Sequence, residues 1–312
     1  MIRWLAPLLA VLVVLSLLTG DATLALPDSL IFWQLRVPRT LLGLLVGGGL
    51  GLSGAVLQGA LRNPWADPGL LGITGSAGLG AVIAFYWGFA VAFPPALLVG
   101  GLLGAILGTS FLLVFAGAVP SGPSLILAGV AVSAIASALL ALALALAPNP
   151  FALTEITFWL MGGLADRPLW QVELAAPVIL LGGAILLKLD RGLDALSLGE
   201  DTARSLGIPV AGTLRMAAIG TACAAGAGAA IVGSIGFIGL VVPHLLRPSM
   251  GERPGALLPA AALAGGALLL VADMLVRVAP LVLPLSAAPP VGVLTALLGA
   301  PFLVVIAQRS TP

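Results

Sequence analysis

Long apolar stretches, separated by short polar ones, follow one another along almost the whole chain. Several are about twenty residues long, which is the length that an α-helix needs to cross a hydrocarbon layer of about 30 Å. The pattern predicts an all-α polytopic membrane protein that forms a single transmembrane domain, residues 1–312. Ten transmembrane helices are predicted, at residues 4–19, 41–61, 70–90, 95–116, 125–147, 169–187, 210–232, 235–246, 257–279 and 291–307.

Three stretches depart from this simple pattern. The first apolar run, residues 4–19, is interpreted as a retained helix; the alternative is a cleaved secretory signal peptide, which Arg3 and the small residue Ala22 would suit. Residues 151–162 include a glutamate and are too few to span, so they predict a partial helix at the membrane face. The eighth predicted span, residues 235–246, is short and contains a proline.

The composition supports a membrane protein and excludes several other functions. Of the 312 residues, 60% are hydrophobic and 8% are charged, too few polar residues to cover a soluble protein of this size. A net charge of +1 without a basic stripe gives no reason to expect nucleic-acid binding. Cys223 and His244 are the only residues of their types, which excludes an intrachain disulfide and a metal site built from several such side chains. We therefore expect no metal ion and no cofactor, and interpret His244 as a hydrogen-bonded structural residue.

One polar segment stands out between the sixth and seventh predicted spans. Residues 188–215 hold eight charged residues and must therefore lie in water. Ser197 and Glu200 have the spacing of a capping box, and Gly207, followed by a proline, is typical of a helix end. The pattern predicts a short helix over residues 198–206, outside the bilayer. On this pattern alone, a helix that meets a soluble partner and an ordinary solvated loop are equally good interpretations.

The basic residues give the orientation. With both termini in the cytoplasm, nine of the 13 lysine and arginine residues are cytoplasmic and four are outside, as the positive-inside rule requires. The polar segment is then cytoplasmic. The nine are Arg3, Arg62, Lys188, Arg191, Arg204, Arg215, Arg247, Arg253 and Arg309, and the four are Arg36, Arg39, Arg167 and Arg277.

Several long blocks resemble, in the same order, the FecCD-type permeases of iron–siderophore, haem and cobalamin ABC importers. The resemblance runs from about Arg36 to the C-terminus. The blocks are RVPRT at 36–40, LSGAVLQGALRNPWADPGLLG at 52–72, LILAGVAVSAIASAL at 125–139, FWLMGG at 158–163, LSLGEDTARSLGI at 196–208, GFIGLVVPHLLR at 236–247 and PVGVLTALLGAPF at 290–302.

The resemblance implies the ten-helix, BtuC-like permease fold of a homodimer in the plasma membrane. Its implied partners are a second copy of the chain, two cytoplasmic ATP-binding-cassette ATPase subunits and an extracytoplasmic substrate-binding protein. The chain is not expected to be an enzyme, because it has no GxxxxGK[ST] loop for ATP phosphates. Residues 189–209 become a coupling loop, whose helix would dock into the ATPase and move the neighbouring spans as a rigid body. The coupling residues are Ser197, Leu198, Gly199, Glu200, Asp201, Ala203, Arg204, Leu206 and Gly207.

Three arginines are implied to dock the binding protein. Arg36, Arg39 and Arg277 match family positions that meet acidic residues of that protein, and a guanidinium pairs bidentately with a carboxylate. The alternative is anchoring to lipid headgroups. Asp273 lies four residues before Arg277, on the same helix face, so a structural ion pair is the preferred interpretation and a proton relay the alternative.

The resemblance also implies two inner translocation gates. Asn63 and Trp65 match one of them, although an aliphatic residue is more usual where Trp65 stands. Ser121, Gly122 and Pro123 match the other, which in the related cobalamin permease consists of small hydroxyl residues, and only Ser121 keeps that character. The alternative for both segments is ordinary turn chemistry, which glycine and proline explain.

The cargo and the energy source have alternatives of their own. A ferric siderophore is the first choice of cargo, because it is the commonest in the family, with haem and cobalamin as the other two. A secondary transporter or channel would need ionisable groups inside the membrane, where only Asp273 and Glu173 qualify, and it would leave the coupling loop unexplained. A purely structural scaffold, the third possibility, predicts no effect of substrate on an ATPase.

Overall fold

The structure, a computed structural model, describes residues 2–20, 29–86, 93, 95–147, 149–284 and 287–310. This part of the chain is helical throughout its regular structure, and no β-strand occurs in it. In chain order the helices are α1 Ile2–Leu18, α2 Ser29–Ala60, α3 Ile73–Tyr86, α4 Ala96–Ala116, α5 Gly122–Ala145, α6 Pro150–Leu160, α7 Leu169–Leu187, α8 Asp190–Ser197, α9 Glu200–Ser205, α10 Val210–Val232, α11 Ile238–Met250, α12 Pro254–Val282 and α13 Val291–Ser310.

Each of the ten predicted spans contains a helix, and the all-α, multi-pass membrane fold is confirmed. Six helices are long and apolar enough to cross a membrane: α2, α4, α5, α7, α10 and α12. Apolar parts of α1, α3 and α13 are shorter, and α11, in the eighth predicted span, has 13 residues and a length of about 20 Å. That all ten cross the membrane stays a prediction.

Several boundaries differ from the predicted ones; helix α2, for example, begins at Ser29 rather than at residue 41. Helix α3 begins at Ile73 rather than at residue 70, because residues 68–72 form turns. Residues 87–90 of that predicted span, and Ala22 of the proposed signal-peptide site, lie outside the described residues. The predicted partial helix is present as α6, with 11 residues.

The centre of the fold is the contact between α2 and α12. Gly47 and Gly265 face each other so closely that a Cβ on Gly265 would lie 2.2 Å from the carbonyl oxygen of Gly47. Neither position accepts a side chain, and the two backbones approach as small residues allow in membrane proteins. In their most apolar stretches, 78% of α2 and 61% of α12 is buried.

Helix α5 lies at the periphery by comparison. Only 28% of its most apolar stretch is buried, and leucines such as Leu127, 74% exposed, face outward. It packs on α3 and α4 and on the turns before α3, where the Ser133 hydroxyl donates to the carbonyl oxygens of Gly69 and Leu70 at 2.9 and 3.1 Å. Helix α12 is therefore held in the core, whereas α5 is held along one side only.

Candidate functional site

The polar segment forms two short helices rather than the single predicted one. Helix α8 ends at Ser197 and α9 runs from Glu200 to Ser205, with Gly199 between them at a φ of +108°, a value that favours glycine. We call residues 189–209 the coupling segment. The predicted capping box is wrong, because the Ser197 hydroxyl lies in the last turn of α8 and donates to the carbonyl oxygen of Asp194 at 2.6 Å. The carboxylate of Glu200 is bound elsewhere.

The end of α9 agrees with the prediction. Gly207 has a φ of +81°, and its N–H donates to the carbonyl oxygen of Arg204 at 3.0 Å. The N–H of Ile208 donates to the carbonyl oxygen of Ala203, also at 3.0 Å. These two bonds are those of a Schellman motif, which satisfies the last carbonyls of a helix.

The coupling segment has one side against the protein and one side outside it. Ala203 is fully buried, whereas Leu198 and Leu206 are 64% and 61% exposed. These two leucines lie on an otherwise polar surface and are suited to burial by a protein partner, because their apolar surface is then removed from water. We call the exposed residues Ser197, Leu198, Asp201, Arg204, Leu206 and Gly207 the outer face of the coupling segment.

Glu200 points from this segment toward the start of α5. Its Oε1 accepts a hydrogen bond from the backbone N–H of Gly122 at 2.8 Å, and its Oε2 accepts one from Nη2 of Arg204 at 2.8 Å. Gly122 is the first residue of α5 and belongs to one of the two predicted gates. The structure therefore brings a predicted coupling residue and a predicted gate segment into direct contact.

A second acid of the coupling segment, Asp194, was not singled out from the sequence. Its Oδ1 accepts a hydrogen bond from the N–H of Gly255 at 2.8 Å, within the first turn of α12. The two residues are 61 positions apart, so no local pattern pairs them. The charge of Asp194 within the polar segment was the only available signal.

The gate segment before α5 has the chemistry of a helix cap. The Ser121 side chain accepts a hydrogen bond from the N–H of Ser124 at 3.3 Å, and the Ser124 hydroxyl accepts one from the N–H of Ser121 at 2.9 Å. This reciprocal pair is a capping box. Its presence agrees with the turn interpretation, and the gate role of Ser121, Gly122 and Pro123 stays a prediction.

The other predicted gate lies in the connector between α2 and α3. The Asn63 side chain accepts a hydrogen bond from the N–H of Trp65 at 3.0 Å, and the Trp65 ring stacks on His244 of α11 with centroids 5.7 Å apart. His244, in turn, bonds through Nδ1 to the carbonyl oxygen of Leu240 at 2.7 Å, the structural role predicted for it. In the same connector, burial raises the pKa of the Asp67 carboxyl, and the hydrogen bond from the Gly69 N–H opposes that shift.

Helix α11 is also joined to α2 beside this connector. Arg247 Nη2 donates to Gln58 Oε1 at 2.6 Å, and Gln58 Nε2 donates to the carbonyl oxygen of Gly239 at 3.1 Å. Together with the Trp65–His244 stack, these bonds fix the α2–α3 connector to α11.

Two of the three predicted docking arginines, Arg39 and Arg277, bind the carboxylate of Asp273 between the start of α2 and the end of α12. The third, Arg36, joins them at the end of α1, where it and Arg277 bind neighbouring carbonyl groups. Arg39 binds both carboxylate oxygens of Asp273, through Nε at 3.0 and 3.1 Å and through Nη2 at 2.9 Å. Arg277 donates from Nε to Asp273 Oδ2 at 2.9 Å. The predicted ion pair between Asp273 and Arg277 is confirmed, with Arg39 as an additional partner. We call Arg36, Arg39, Asp273 and Arg277 the arginine cluster.

The cluster also closes the C-terminal end of α1. Arg36 Nη1 donates to the carbonyl oxygens of Leu17 and Leu18, both at 2.9 Å, and Arg277 Nη1 donates to that of Ser16 at 2.9 Å. Carbonyl groups in the last turn of a helix have no partner within the helix. These arginines supply one and so tie α1 to α2 and α12; that the first apolar run is retained stays a prediction.

Burial separates the arginine cluster from the protein surface. Arg36 is 8% exposed, Arg277 is 2% exposed, and the side chain of Arg39 is 13% exposed. The structure thus places the three predicted docking residues inside the protein, and their docking role stays a prediction. Among the described residues, no group of three histidine, cysteine, aspartate or glutamate side chains could hold a metal ion.

Comparison with known proteins gives matches along almost the whole chain. The model of the FecCD transport family matches residues 8–309. The chain is 39% identical over 318 residues to the vitamin B12 import system permease protein BtuC of Citrobacter koseri, across 99% of this chain and 95% of that one. It is 40% identical over 321 residues to BtuC of Klebsiella pneumoniae, across 99% and 94%. A solved inward-facing structure, described as a metal-chelate type ABC transporter, superposes with a TM-score of 0.88 at 33% identity, across 99% of this chain and 98% of that one.

Proposed function

The chain belongs to the FecCD transport family, and we propose that it is the permease of an ABC importer whose cargo is cobalamin. Membership makes it a permease subunit of the metal-chelate and cobalamin type. The cargo, the assembly and the roles of single residues are our proposal. The observation that carries it is the end-to-end similarity to vitamin B12 permeases at 39–40% identity.

Cobalamin replaces the ferric siderophore as the first cargo to test. The siderophore was preferred from the sequence because it is common in the family, whereas the two relatives named above are vitamin B12 permeases. The chain supplies no cluster of metal ligands among its described residues, so a metal would cross inside its chelator. A siderophore and haem remain as outcomes of the experiment below.

The energy would come from ATPase subunits that bind the coupling segment. Permeases of this family work with a separate ATPase and a binding protein. The outer face presents Leu198 and Leu206, whose burial under a partner would supply affinity, surrounded by polar residues that would form a rim. We assign to this contact seven of the nine coupling residues predicted from the sequence; the other two, Glu200 and Ala203, face the permease itself.

The assembly we propose is a homodimer of one-domain chains, residues 1–312, in the inner membrane with both termini cytoplasmic. Permeases of this family work with partner subunits, and a second copy of the chain is the partner that the resemblance implies. The docking role is kept for Arg36, Arg39 and Arg277, with Arg39 the least buried. A binding protein that used them would have to draw these side chains from their internal partners.

Reconstitution tests the function. The chain is placed in proteoliposomes with the ATPase subunit of the same source, and the cognate binding protein, loaded with cyanocobalamin, is added outside. We expect uptake that requires both ATP and the ATPase. Parallel reactions use the binding protein loaded with a ferric hydroxamate or with haemin.

The outcomes separate the alternatives. Uptake without the ATPase would make the chain a secondary transporter or channel and overturn the proposal. Uptake of only the ferric hydroxamate or only haemin would overturn the cargo and leave the permease role in place.

A further inference from the structure

Two carboxylates of the coupling segment hold the first turns of two spanning helices. Glu200 accepts the N–H of Gly122 in α5, and Asp194 accepts the N–H of Gly255 in α12, both at 2.8 Å. Anions are favoured at these positions, because the N–H groups of a first turn lack helical partners and the helix dipole is positive there. The coupling segment is therefore bonded to α5 and α12 at their starts.

The carboxylate of Glu200 completes the cap of α5. Within that first turn, Ser124 donates its N–H to the side chain of Ser121, and Pro123 has no N–H. The N–H of Gly122 is left to Glu200. A Cβ on Gly122 would lie 3.5 Å from Glu200 Oε1 and 3.6 Å from the carbonyl oxygen of Leu61, so the carboxylate and the end of α2 both lie against this position.

The two helices differ in their freedom to move. Helix α12 is 61% buried in its most apolar stretch and is locked to α2 at Gly47 and Gly265, whereas α5 is 28% buried. Elements with few buried contacts respond to a force at lower free-energy cost than core elements. A displacement of the coupling segment is therefore expected to shift α5 and to leave α12 in place.

Glu200 is turned away from the surface that a partner would cover. Its side chain is 21% exposed, against 99% for the neighbouring Asp201. Arg204 holds its second oxygen at 2.8 Å. A protein on the outer face would meet Leu198 and Leu206, while the Glu200 carboxylate stays on Gly122.

We propose that Glu200 transmits the movement of the coupling segment to α5, while Asp194 keeps the coupling segment attached to α12. This inference rests on the proposed function and divides the coupling segment into two parts. The outer face binds the ATPase, and Glu200 is a positioning residue that acts through α5. The neighbouring Gly199 lies beside Arg62, the residue before the other predicted gate, since a Cβ on Gly199 would lie 3.9 Å from Arg62 Nη1.

The test compares Glu200→Ala and Glu200→Gln with Glu155→Gln in the reconstituted importer. Alanine removes the acceptor; glutamine keeps a neutral acceptor, and a charge-assisted hydrogen bond is about twice as strong as a neutral one. Glu155 is an exposed acid of α6, outside the coupling segment, and its variant controls for the loss of one negative charge. We expect cyanocobalamin uptake per ATP hydrolysed to fall by about tenfold in Glu200→Ala, to fall by less in Glu200→Gln, and to be unchanged in Glu155→Gln.

Two further readouts distinguish transmission from docking and from a general structural role. The affinity of the detergent-solubilised permease for the ATPase should be unchanged in both Glu200 variants. Movement of α5 is followed with a single cysteine, Val119→Cys, in a protein that also carries Cys223→Ala. Val119 lies just before α5 and is 73% exposed. With Glu200 present, nucleotide should change the rate at which this thiol reacts with a charged thiosulfonate; in Glu200→Ala that change should vanish.

Normal uptake per ATP in Glu200→Ala would overturn the inference. So would a weakened ATPase complex, because Glu200 would then be a docking residue. If the alanine variant unfolds, the glutamine variant decides by the same criteria. Failure of the proposed function looks different, since the unsubstituted protein would then show no ATP-dependent uptake.

Discussion

The arginine cluster and the coupling segment use charge in opposite ways. In the arginine cluster, Asp273 is 1% exposed and binds two arginines, each of which lies at most 13% exposed. In the coupling segment, Arg204 is 47% exposed and Asp201 is 99% exposed, although they form an ion pair at 2.7 Å. The charges of the arginine cluster are buried and pair with one another, whereas the coupling segment exposes both charged residues and leucines.

This difference has a physical cause. A buried charge is tolerated only when a counter-charge and hydrogen bonds satisfy it, so Asp273, Arg39 and Arg277 depend on one another. An exposed charge is solvated by water and contributes little to stability. We therefore expect substitutions in the arginine cluster to act on folding, and substitutions in the coupling segment to act on assembly and transport.

The largest effect is expected for Asp273→Asn. The change leaves Arg39 and Arg277 without their shared carboxylate, and removal of one partner from a buried ion pair costs about 3–5 kcal/mol. Thermal unfolding of the purified permease in detergent, followed by tryptophan fluorescence, measures it. Glu155→Gln, at an exposed position of α6, is the control. Equal melting temperatures for the two variants would contradict the closed character of the cluster.

The second effect separates assembly from folding in the coupling segment. Leu198→Ser with Leu206→Ser removes the two exposed apolar side chains, and burial of a leucine contributes about 1.5–3 kcal/mol, or at least about tenfold in affinity for each. The ATPase should bind at least about 100-fold more weakly, as measured by surface plasmon resonance on immobilised permease. The melting temperature of the permease alone should stay unchanged. Full affinity in this variant would show that the outer face is not the docking surface.

The third effect concerns whether Arg36 acts on α1 or on the binding protein. Arg36→Gln withdraws donors from the carbonyl groups of Leu17 and Leu18, and an unsatisfied buried acceptor costs about 1–3 kcal/mol. We expect a lower melting temperature and, from the proposed docking role, a weaker affinity for the binding protein, with the larger loss at low salt. A lower melting temperature with full binding-protein affinity would limit Arg36 to capping α1 and would contradict its docking role.

The helices could be predicted well because a membrane-spanning segment is recognisable from its own run of residues. A run of apolar residues is sufficient to place α4 or α7, since lipid requires it whatever the rest of the chain does. The pair Asp273 and Arg277 could also be predicted from a local pattern, because residues four positions apart lie on the same face of a helix. These predictions needed no knowledge of tertiary contacts.

The contacts that give the candidate site its character are long-range and could not be predicted in this way. Glu200 and Gly122 are 78 positions apart, and Arg39 and Asp273 are 234 apart. The predicted capping box failed because Glu200 Oε1 accepts the N–H of Gly122 at the start of α5 instead of the N–H of Ser197. The spacing of Ser197 and Glu200 fits a capping box, and only the fold shows that the carboxylate is bound elsewhere.

The smallest effect, and the sharpest contrast with Asp273→Asn, is expected for Arg204→Ala. Arg204 forms two ion pairs, with Glu200 at 2.8 Å and with Asp201 at 2.7 Å, so a count of contacts would rank it beside Arg277. Because its side chain is 47% exposed, each pair is screened by water and is worth about 0.3–0.5 kcal/mol, as for other helix pairs of this spacing. The free energy of unfolding should therefore fall by less than about 1 kcal/mol. Salt at 0.5 M should screen these ion pairs in the unsubstituted protein and so remove the difference between the two proteins. A loss as large as that of Asp273→Asn would mean that the coupling segment is closed around its charges like the arginine cluster, and the division between the two regions would fail.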